Sequence, residues 1–290
     1  MFIGIDHGTT AIRFSAGDLH FKVSRKDAVS FEYTDLSRIC DIDDIEGIAV
    51  CYSMGDGISE ITNINYVKNR GIITREGAGE HIGGGTRVYD EIKRSKIPAV
   101  VIPGLHRNSP TDPRFKVYSH QTSPEKIGIA YEVSKKLGDD FIVCDASSNT
   151  VTLLVTAGKI TGAFDACIFA PGTTHGAIDV DGIRKIDEGV WTANEAFMHA
   201  GVREHIPKDI QNKTLAMFAA MECASMRLLN KKAKIALAGS LAPLICDEVA
   251  NLLEEKVSVY DEWCASKGLS VLAEDVFNGK KEILGLGVSL

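Results

Sequence analysis

Short apolar runs alternate along the chain with segments of helical periodicity, and the strand-like runs fall into two similar groups. Each group holds three short strands joined by tight turns, which predicts an antiparallel meander. The six predicted strands cover residues 2–5, 13–16 and 20–24, and residues 141–145, 151–155 and 159–164. The leading strand of each group runs into an aspartate, Asp6 or Asp145. The repetition predicts a duplicated domain, and the alternation of strands with helices predicts an α/β fold.

Further elements separate the two groups and follow the second. Strands are predicted at residues 47–51, 99–102, 233–238 and 256–259, and helices at 123–137, 192–200, 212–229 and 242–253. In the first of these helices Ser123 suits the N-cap, Pro124 the first helical position and Gly138 the end. The predicted lobes are residues 1–138 and 139–278, with a tail of about 279–290 that packs back on the first lobe.

Composition narrows the class of protein. The chain has 290 residues, enough for one large or two medium-sized domains, and its 44% hydrophobic residues are typical of a folded protein. The net charge is -7 and the basic residues are scattered, so no nucleic-acid partner is expected. No apolar run approaches the roughly 20 residues that span a bilayer, so no membrane partner is expected either. Seven cysteines without a CxxC pair indicate reduced thiols in a cytoplasmic protein.

A glycine-rich loop at residues 77–85 stands out in the first half. It has neither the Gly-Lys-Ser/Thr ending of a P-loop nor the spacing of a dinucleotide-binding fingerprint. Two interpretations remain open, a functional lid and a plain surface connection.

The stretch Asp6-His7-Gly8-Thr9-Thr10 is the first candidate site. A strand-turn-strand hairpin of this composition presents backbone N–H groups and two hydroxyls, with a carboxylate beside them. Gly8 allows a close approach of a ligand to the backbone. A carboxylate suits a phosphate only through a metal ion and its waters, so the pattern predicts a phosphate tail whose charge is shared with Mg²⁺.

Two further segments strengthen this interpretation. Asp145-Ala146-Ser147-Ser148-Asn149 occupies the equivalent hairpin of the second half, and a turn at Gly239-Ser240 joins a strand to a helix. Three such segments at these intervals resemble the superfamily of actin, Hsp70, the sugar kinases and acetate kinase. The resemblance implies duplicated ribonuclease-H-like domains with a nucleotide cleft between two lobes. In that superfamily the two hairpins hold the phosphates of ATP, and the third turn lies against adenosine.

One departure and one closer likeness refine the resemblance. The second hairpin of the superfamily carries glycine where this chain has Ala146-Ser147-Ser148, which bears on the backbone contacts with ATP. Residues 119–123 and 171–179 are similar to the His-Gly-Thr-Ser and Gly-Thr-Arg-x-Gly-x-x-Asp segments of the short-chain carboxylate kinases. Phosphoryl transfer needs cations around the moving group. The candidate cations are His106, Arg107, His120, His175 and Arg184.

Longer strings of the sequence resemble one particular family. GIDHGTTAIRF, GAGEHIGGGTRVYDEI and DACIFAPGTTHGAIDVDGIR are similar to methanogenesis marker protein 12, an archaeal family largely confined to methanogens. The resemblance implies a cytoplasmic archaeal protein linked to methane metabolism, with a reaction that is not established.

The leading functional hypothesis is a kinase that transfers the γ-phosphoryl of ATP to a small carboxylate or similar acceptor. Asp6 and Asp145 would position Mg²⁺ as metal ligands and take part in catalysis, and three cations would steady the transition state. These cations are His120, His175 and Arg184. The residues expected to hold the nucleotide are Gly8, Thr9, Thr10, Ser147, Ser148, Asn149, Gly239 and Ser240. The substrate or partner is an unknown small molecule or protein.

Other functions on the same fold remain open. One is an ATP-driven factor that assembles or activates a methanogenesis enzyme. Activators of hydroxyacyl-CoA dehydratases share this fold and hold an iron-sulfur cluster between two subunits, which makes Cys144 and Cys167 candidate ligands. Another is a protein that has lost catalysis and serves only as a binding partner. A homodimer is compatible with each of them.

Overall fold

The computed structural model describes residues 1–52, 56–72 and 83–290, and these form two compact units. The first unit consists of Met1–Lys136 together with Trp263–Leu290, and the second of Leu137–Glu262. Residues 77–82 of the predicted lid lie outside the described residues.

Strands and helices are numbered here in chain order. The strands are β1 Phe2–His7, β2 Ala11–Ala16, β3 Leu19–Ser24, β4 Gly47–Val50, β5 Ile61–Asn63, β6 Ala99–Val101, β7 Leu105–His106, β8 His120–Thr122, β9 Phe141–Ala146, β10 Thr150–Thr156, β11 Lys159–Phe164, β12 Lys234–Ala238, β13 Ser258–Val259, β14 Glu282–Ile283 and β15 Leu286–Ser289. The α-helices are α1 Gly84–Ser95, α2 Glu125–Leu137, α3 Val180–Asp187, α4 Ala193–Met198, α5 Val202–His205, α6 Gln211–Arg227, α7 Ala242–Leu253 and α8 Cys264–Phe277. Short 3₁₀ helices lie at Asp27–Ser30, Tyr33–Arg38, Ile42–Asp44, Lys68–Gly71 and Pro113–Val117.

The first unit is built on an eight-stranded sheet with the strand order β14-β15-β5-β6-β4-β1-β2-β3. Strand β1 lies in its interior, antiparallel to β2 and parallel to β4. Its side chains Ile3 and Ile5 are fully buried, because one face of the strand packs under helices. The C-terminal strand β15 pairs with β5 in this sheet. Strands β7 and β8 form a separate hairpin.

The second unit repeats the central part of this arrangement. Its five-stranded sheet has the order β11-β10-β9-β12-β13, and β9 lies antiparallel to β10 and parallel to β12. The hairpin β9–β10 therefore has the same neighbours in the same directions as β1–β2. This confirms the duplicated α/β architecture predicted from the two meanders.

Helix α8 belongs to the first unit, although residues 263–278 were predicted in the second lobe. Small residues explain the placement. A Cβ added at Gly4 of β1 would lie 2.0 Å from the Ser266 carbonyl oxygen, so the helix backbone lies directly against the strand. The Ser270 hydroxyl also donates a hydrogen bond of 2.9 Å to the Phe2 carbonyl. Helical periodicity predicts that a helix is buried but does not identify the sheet that it covers.

Within the part of the chain that the structure describes, no helix combines the length and the apolar character needed to cross a bilayer.

Candidate active site

The first candidate segment forms the tip of the β1–β2 hairpin. Asp6 is the last residue but one of β1 and has only 4% of its surface exposed, and the strand register places Arg13 directly across from it. Arg13 Nη1 lies 3.4 Å from Asp6 Oδ2. The predicted metal ligand therefore already faces one fixed cation. Thr9 and Thr10 are exposed at the tip, where their hydroxyls are accessible to a ligand.

Steric contacts explain why glycine occupies position 8. A Cβ there would lie 2.8 Å from both the Ala11 carbonyl oxygen and Arg13 Nη1, closer than side-chain carbons approach such atoms. The glycine thus lets the turn close over the Asp6–Arg13 pair.

The end of the glycine-rich segment reaches the same hairpin. A Cβ at Gly85 would overlap the His7 ring, and one at Gly84 would lie 2.3 Å from the Arg25 carbonyl oxygen. Helix α1 therefore begins in contact with β1 and the loop after β3. Burial and the neighbouring Arg25 guanidinium lower the pKa of His7 to about 3, so this ring is neutral at physiological pH.

A charged pair that the sequence interpretation missed lies at the start of α2. Lys126 Nζ is 2.9 Å from Glu125 Oε1, and the Ser123 hydroxyl donates a 2.6 Å hydrogen bond to the same oxygen. Burial alone would raise the pKa of Glu125, but Lys126 and Ser123 outweigh it and lower that pKa. The sequence does contain a signal for this pair, because two adjacent residues of opposite charge follow Pro124 at the start of a predicted helix.

Three of the predicted cations belong to the segment that includes the β7–β8 hairpin. His120 Nδ1 lies 3.2 Å from Asp56 Oδ1, so a carboxylate orients the ring. His106 accepts the Asn108 N–H at Nδ1, and its Nε2 donates to the Ile58 carbonyl at 3.0 Å. Arg107 donates to two main-chain carbonyls, those of Lys116 and Val117. His106 and Arg107 therefore hold this segment together through backbone contacts.

The second unit brings the hairpin β9–β10 and the turn at Gly239 into contact. Asp145 is 4% exposed, and a Cβ at Gly239 would lie only 2.1 Å from Asp145 Oδ1. Gly239 has a φ of +92°, a conformation that favours glycine. The Leu241 N–H donates to the Ala146 carbonyl at 3.0 Å, while Ser240 is exposed beside it. The second and third candidate segments therefore lie in contact within this unit.

Residues 172–175 clamp the tip of the second hairpin. The Ser148 carbonyl accepts hydrogen bonds from the N–H groups of Thr174 at 3.2 Å and His175 at 3.1 Å. The Ser147 carbonyl accepts one from Thr173 at 3.1 Å, and a Cβ at Gly172 would lie 2.1 Å from the Ser148 carbonyl oxygen. The backbone of the tip is therefore fixed by a neighbouring loop.

His175 is part of this clamp. Its Nδ1 lies 3.0 Å from Thr174 Oγ1 and 3.3 Å from the Ser148 carbonyl oxygen. Burial lowers the pKa of His175, which makes the ring neutral near pH 7. In this geometry the imidazole positions the hairpin tip.

Arg184 lies exposed on α3, and its guanidinium forms no ion pair among the described residues. The segment before it ends in a helix cap, because the Asp179 carboxylate accepts the N–H groups of Asp181 and Gly182. The predicted role of Arg184 in catalysis stays a prediction.

The cysteines proposed as cluster ligands lie in different surroundings. Cys144 is fully buried, and its thiol contacts that of Cys223, a contact that together with burial raises the pKa of Cys144. Cys167 is exposed. A cluster shared between subunits needs thiols at the surface, which Cys144 does not offer. Among the described residues no group of three or more histidine, cysteine or acidic side chains is arranged to hold a metal.

A second buried acid of the second unit was also missed. Glu222 of α6 is fully buried, and its Oε1 accepts the Ala170 N–H at 3.1 Å. Burial raises the pKa of Glu222 to about 8, despite the nearby Thr152 hydroxyl and Ala170 N–H, so the carboxyl is largely protonated at pH 7. Since Ala170 precedes the clamp, Glu222 anchors the loop that holds the hairpin tip.

The donor set fits a Mg²⁺-bound phosphate in each unit. Asp145 lies in a cradle that any side chain at position 239 would fill, and Asp6 lies beside a tip with two exposed hydroxyls. Oxygen ligands of this kind suit Mg²⁺, which usually keeps several waters and takes one or two carboxylates.

The fold is similar to that of acetate and sugar kinases of known structure. A propionate kinase from Francisella tularensis matches with a TM-score of 0.57 and 12% identity, over 91% of this chain and 91% of that one. An acetate kinase from Porphyromonas gingivalis matches with a TM-score of 0.57 and 10% identity, over 93% and 98%. A ROK family glucokinase from Streptomyces griseus, in complex with glucose and AMPPNP, matches with a TM-score of 0.51 and 13% identity, over 94% and 99%. At these identities the likeness shows the fold alone.

The chain belongs to the UPF0285 family of archaeal proteins. It is 43% identical to the UPF0285 protein of Methanosarcina mazei over 320 aligned positions, which cover 99% of this chain and 98% of the relative. It is 44% identical to that of Methanocaldococcus jannaschii over 322 positions, with the same coverage. No protein-family model matches the chain.

Proposed function

We propose that this protein binds Mg-ATP and transfers its γ-phosphoryl group to a small carboxylate or similar acceptor. The observation that carries the proposal is the repeated pair of buried aspartates, Asp6 and Asp145, each at the end of a sheet-interior strand and followed by a tip with hydroxyl side chains. Acetate and propionate kinases on the same fold support the class of acceptor. Relatives in methanogenic archaea support the proposed role in methane metabolism.

In the first unit, Asp6 is proposed as a Mg²⁺ ligand through water, and Thr9 and Thr10 as phosphate donors. The Arg13 guanidinium beside Asp6 adds positive charge where phosphate oxygens would lie, at 3.4 Å from the carboxylate. His120, held by Asp56, is the proposed cation for the moving group. These are the roles that exposed hydroxyls and an oriented imidazole can fill.

In the second unit, Asp145 is the proposed second Mg²⁺ ligand, with Ser147, Ser148 and Asn149 as phosphate contacts. Gly239 and Ser240 form the turn proposed to lie against adenosine. His175 acts here as a positioning residue, because its neutral ring holds the backbone of the tip.

Phosphoryl transfer requires little covalent chemistry from a protein, since bound Mg²⁺ supplies the charge that stabilises the moving group. The contribution of this chain is therefore to fix geometry. The clamp at residues 172–175 and the packing of Gly239 on Asp145 meet that requirement, because each fixes backbone atoms by short contacts.

The test is calorimetric titration of the purified protein with ATP in the presence of Mg²⁺. We expect saturable 1:1 binding that Asp145→Asn weakens by roughly 10-fold or more, because the change keeps the shape and removes the charge opposite the metal. Asp209→Asn is the matched control, since Asp209 is exposed on the same unit. Absence of binding by folded protein, or equal affinity in both variants, would contradict the proposal.

A second assay addresses the transfer step. Incubation with ATP and a panel of short carboxylates, followed by hydroxylamine, detects acyl phosphates as hydroxamates. Hydroxamate formation with one acceptor supports the kinase. ATP hydrolysis that no acceptor changes would instead indicate an ATP-driven activation factor on this fold.

A further inference from the structure

We propose that Glu222 is a positioning residue of the second unit, which in its uncharged form holds the loop of residues 170–175 closed on the hairpin tip. Ionisation of Glu222 opens this loop and weakens nucleotide binding. The inference deepens the function given above, because it names a form of regulation for the same site, and its effect on binding rests on that function. The opening of the loop needs no ligand.

Glu222 lies one contact away from the loop. Its side chain is fully buried on α6, and Oε1 accepts the N–H of the equally buried Ala170 at 3.1 Å. The next residue, Pro171, accepts the Thr150 hydroxyl at its carbonyl, with a distance of 2.8 Å. Glu222 and Thr150 therefore fix the two residues from which the loop reaches the tip.

The remainder of the loop is bonded to the tip on one side and to α5 on the other. The N–H groups of residues 173–175 donate to the Ser147 and Ser148 carbonyls at 3.1 or 3.2 Å. The N–H groups of residues 201–203 donate to carbonyls of the same loop at 3.0 Å. Since the loop has few residues, a loss of its contact with α6 at Ala170 is transmitted to the tip.

The surroundings of Glu222 favour the uncharged carboxyl. Its second oxygen, Oε2, is buried and has no hydrogen-bond partner in the part of the chain that the structure describes. Of the basic residues on the same helix, Lys213 is exposed and Arg227 pairs with Glu255. A buried carboxylate without a cation is avoided by keeping the proton, and burial accordingly raises the pKa of Glu222 to about 8.

The elements that pack on α6 bring no cation to Glu222 among the described residues. The loop after β11 contributes Asp165, a second acid whose charge raises the pKa of Glu222 further. Strands β9 and β10 contribute the Cys144 thiol and the Thr152 hydroxyl, which lie opposite each other in the sheet, and α6 itself adds the Cys223 thiol. Helix α5 keeps its charged residues exposed, and the buried residues of α7 are apolar, namely Ala242, Ile245 and Val249.

The direction of the pH dependence follows from these surroundings. An opened loop exposes Glu222 to water, where the pKa of a glutamate is 4.5. Between pH 4.5 and about 8 the closed loop therefore keeps a proton that the open loop releases. The equilibrium shifts towards the open loop as pH rises through this range, by at most about tenfold per pH unit, and becomes independent of pH above it.

The first experiment measures amide hydrogen exchange of residues 170–175 without nucleotide at pH 6, 7 and 8. It compares wild-type protein, Glu222→Gln, which keeps the shape of the uncharged carboxyl, and the control Glu248→Gln, an exposed acid on α7. Comparison at one pH cancels the intrinsic pH dependence of exchange. We expect the ratio of the wild-type rate to the Glu222→Gln rate to rise by roughly 10-fold or more from pH 6 to 8, and Glu248→Gln to follow the wild type. A ratio that does not change with pH would overturn the inference.

The wild-type protein alone provides a second reading if Glu222→Gln does not fold. Its protection against exchange at residues 170–175 should fall between pH 6 and 8, relative to the protection of the β1–β2 hairpin in the same sample. Parallel changes at both places would show a general loss of stability and would overturn the inference.

The second experiment is calorimetric titration of the same three proteins with ATP in Mg²⁺ across this pH range. Wild-type affinity should fall by roughly 3- to 10-fold relative to Glu222→Gln between pH 6 and 8. Equal pH profiles in the two proteins would overturn the link to binding. Absence of ATP binding in all three would contradict the proposed function, and the exchange rates would then decide by themselves whether Glu222 holds the loop.

Discussion

The two hairpins share a backbone but differ in what surrounds their aspartates. In the first unit the residue across from Asp6 is Arg13, whereas in the second unit the residue across from Asp145 is Val151. The tip after Asp6 is exposed at Thr9 and Thr10. The tip after Asp145 is half-buried and clamped by residues 172–175. Duplication has kept the strand pairing and changed the electrostatics and the freedom of the tip.

The same strand pairing thus places an arginine beside one aspartate and a valine beside the other. An aspartate beside an arginine has part of its charge already neutralised by that cross-strand neighbour, whereas Val151 contributes no charge opposite Asp145. In the proposed kinase, a rigid tip would fix phosphate positions, and an exposed tip with two threonines would leave space for an acceptor or a moving phosphoryl group. We therefore expect Asp145 to contribute more to Mg²⁺ binding than Asp6.

The largest expected effect comes from filling the glycine of each unit. Gly239→Ala should lower stability by roughly 2–4 kcal/mol, because its Cβ would lie 2.1 Å from Asp145 Oδ1 at a φ of +92°. Gly8→Ala meets its nearest atoms at 2.8 Å, without a positive φ, and should cost about half as much. Thermal midpoints of both variants measure the difference. Equal midpoints would show that the two turns are equally constrained.

Replacement of either aspartate by asparagine has the next largest expected effect. Asp145→Asn should weaken Mg-ATP binding by roughly 10- to 100-fold, and Asp6→Asn by roughly 3- to 10-fold, because Arg13 already offsets the Asp6 charge. Titrations at several Mg²⁺ concentrations measure both losses. A larger loss in Asp6→Asn would reverse the proposed ranking, and unchanged affinity there would remove Asp6 from the site.

The buried glutamates of the two units offer a pH test. Glu91 of the first unit pairs with Arg87 at 3.2 Å and Arg94 at 2.5 Å, whereas Glu222 of the second accepts a main-chain N–H and has no cation beside it in the described structure. Between pH 4.5 and about 8 the folded chain keeps a proton on Glu222 that the unfolded chain releases. Stability from this group is therefore present below pH 4.5 and is lost as pH rises through 8.

Glu222→Gln should accordingly raise the thermal midpoint at pH 9 by a few degrees, about 1–2 kcal/mol, and change it little at pH 5. Glu91→Gln should lower the midpoint at both pH values, since it leaves two arginines beside an uncharged group. Melting curves at pH 5, 7 and 9 test both variants. A pH-independent effect of Glu222→Gln would contradict a protonated carboxyl.

The smallest expected effect comes from replacing Arg13, which lies opposite Asp6, by valine, the residue that lies opposite Asp145. Arg13→Val should let Asp6 attract Mg²⁺ more strongly and lower the Mg²⁺ concentration for half-maximal ATP binding by roughly 2- to 5-fold. Ser15→Val, one strand position further on the same face, is unsuitable as a control because Ser15 bonds Ser266 at 2.6 Å. Lys22→Val on β3 is the appropriate one, since Lys22 lies opposite Arg13 and is exposed.

Much of the fold follows from local patterns. The meanders were predictable because alternating apolar residues and tight turns are local signals, and the predicted strand at residues 159–164 matches β11 throughout. The helices α1 and α8 were not predicted. Helix α1 starts with glycines that only their contacts with His7 and Arg25 explain, and α8 is recognised by its fit to Gly4.

The candidate site was predictable where it consists of backbone turns and less so where it depends on tertiary contacts. The hairpin aspartates and the Gly239 turn were visible as motifs. Arg13 could have been found from the strand register, which pairs it with Asp6. The neutral state of His175 could not have been found, because the charge of a histidine depends on burial and on neighbours distant in sequence, such as Ser148.

The packing of α8 on β1 also governs the order in which the units can be completed during synthesis. The second unit is contiguous and has all its residues once Glu262 has been added, whereas the first needs residues from both ends of the chain. Until Cys264–Phe277 emerges from the ribosome, the face of β1 that carries Gly4 has no helix to cover it. The part of the first unit that precedes the second unit in the chain therefore becomes native only after the second unit has been made, and until then it needs protection from aggregation.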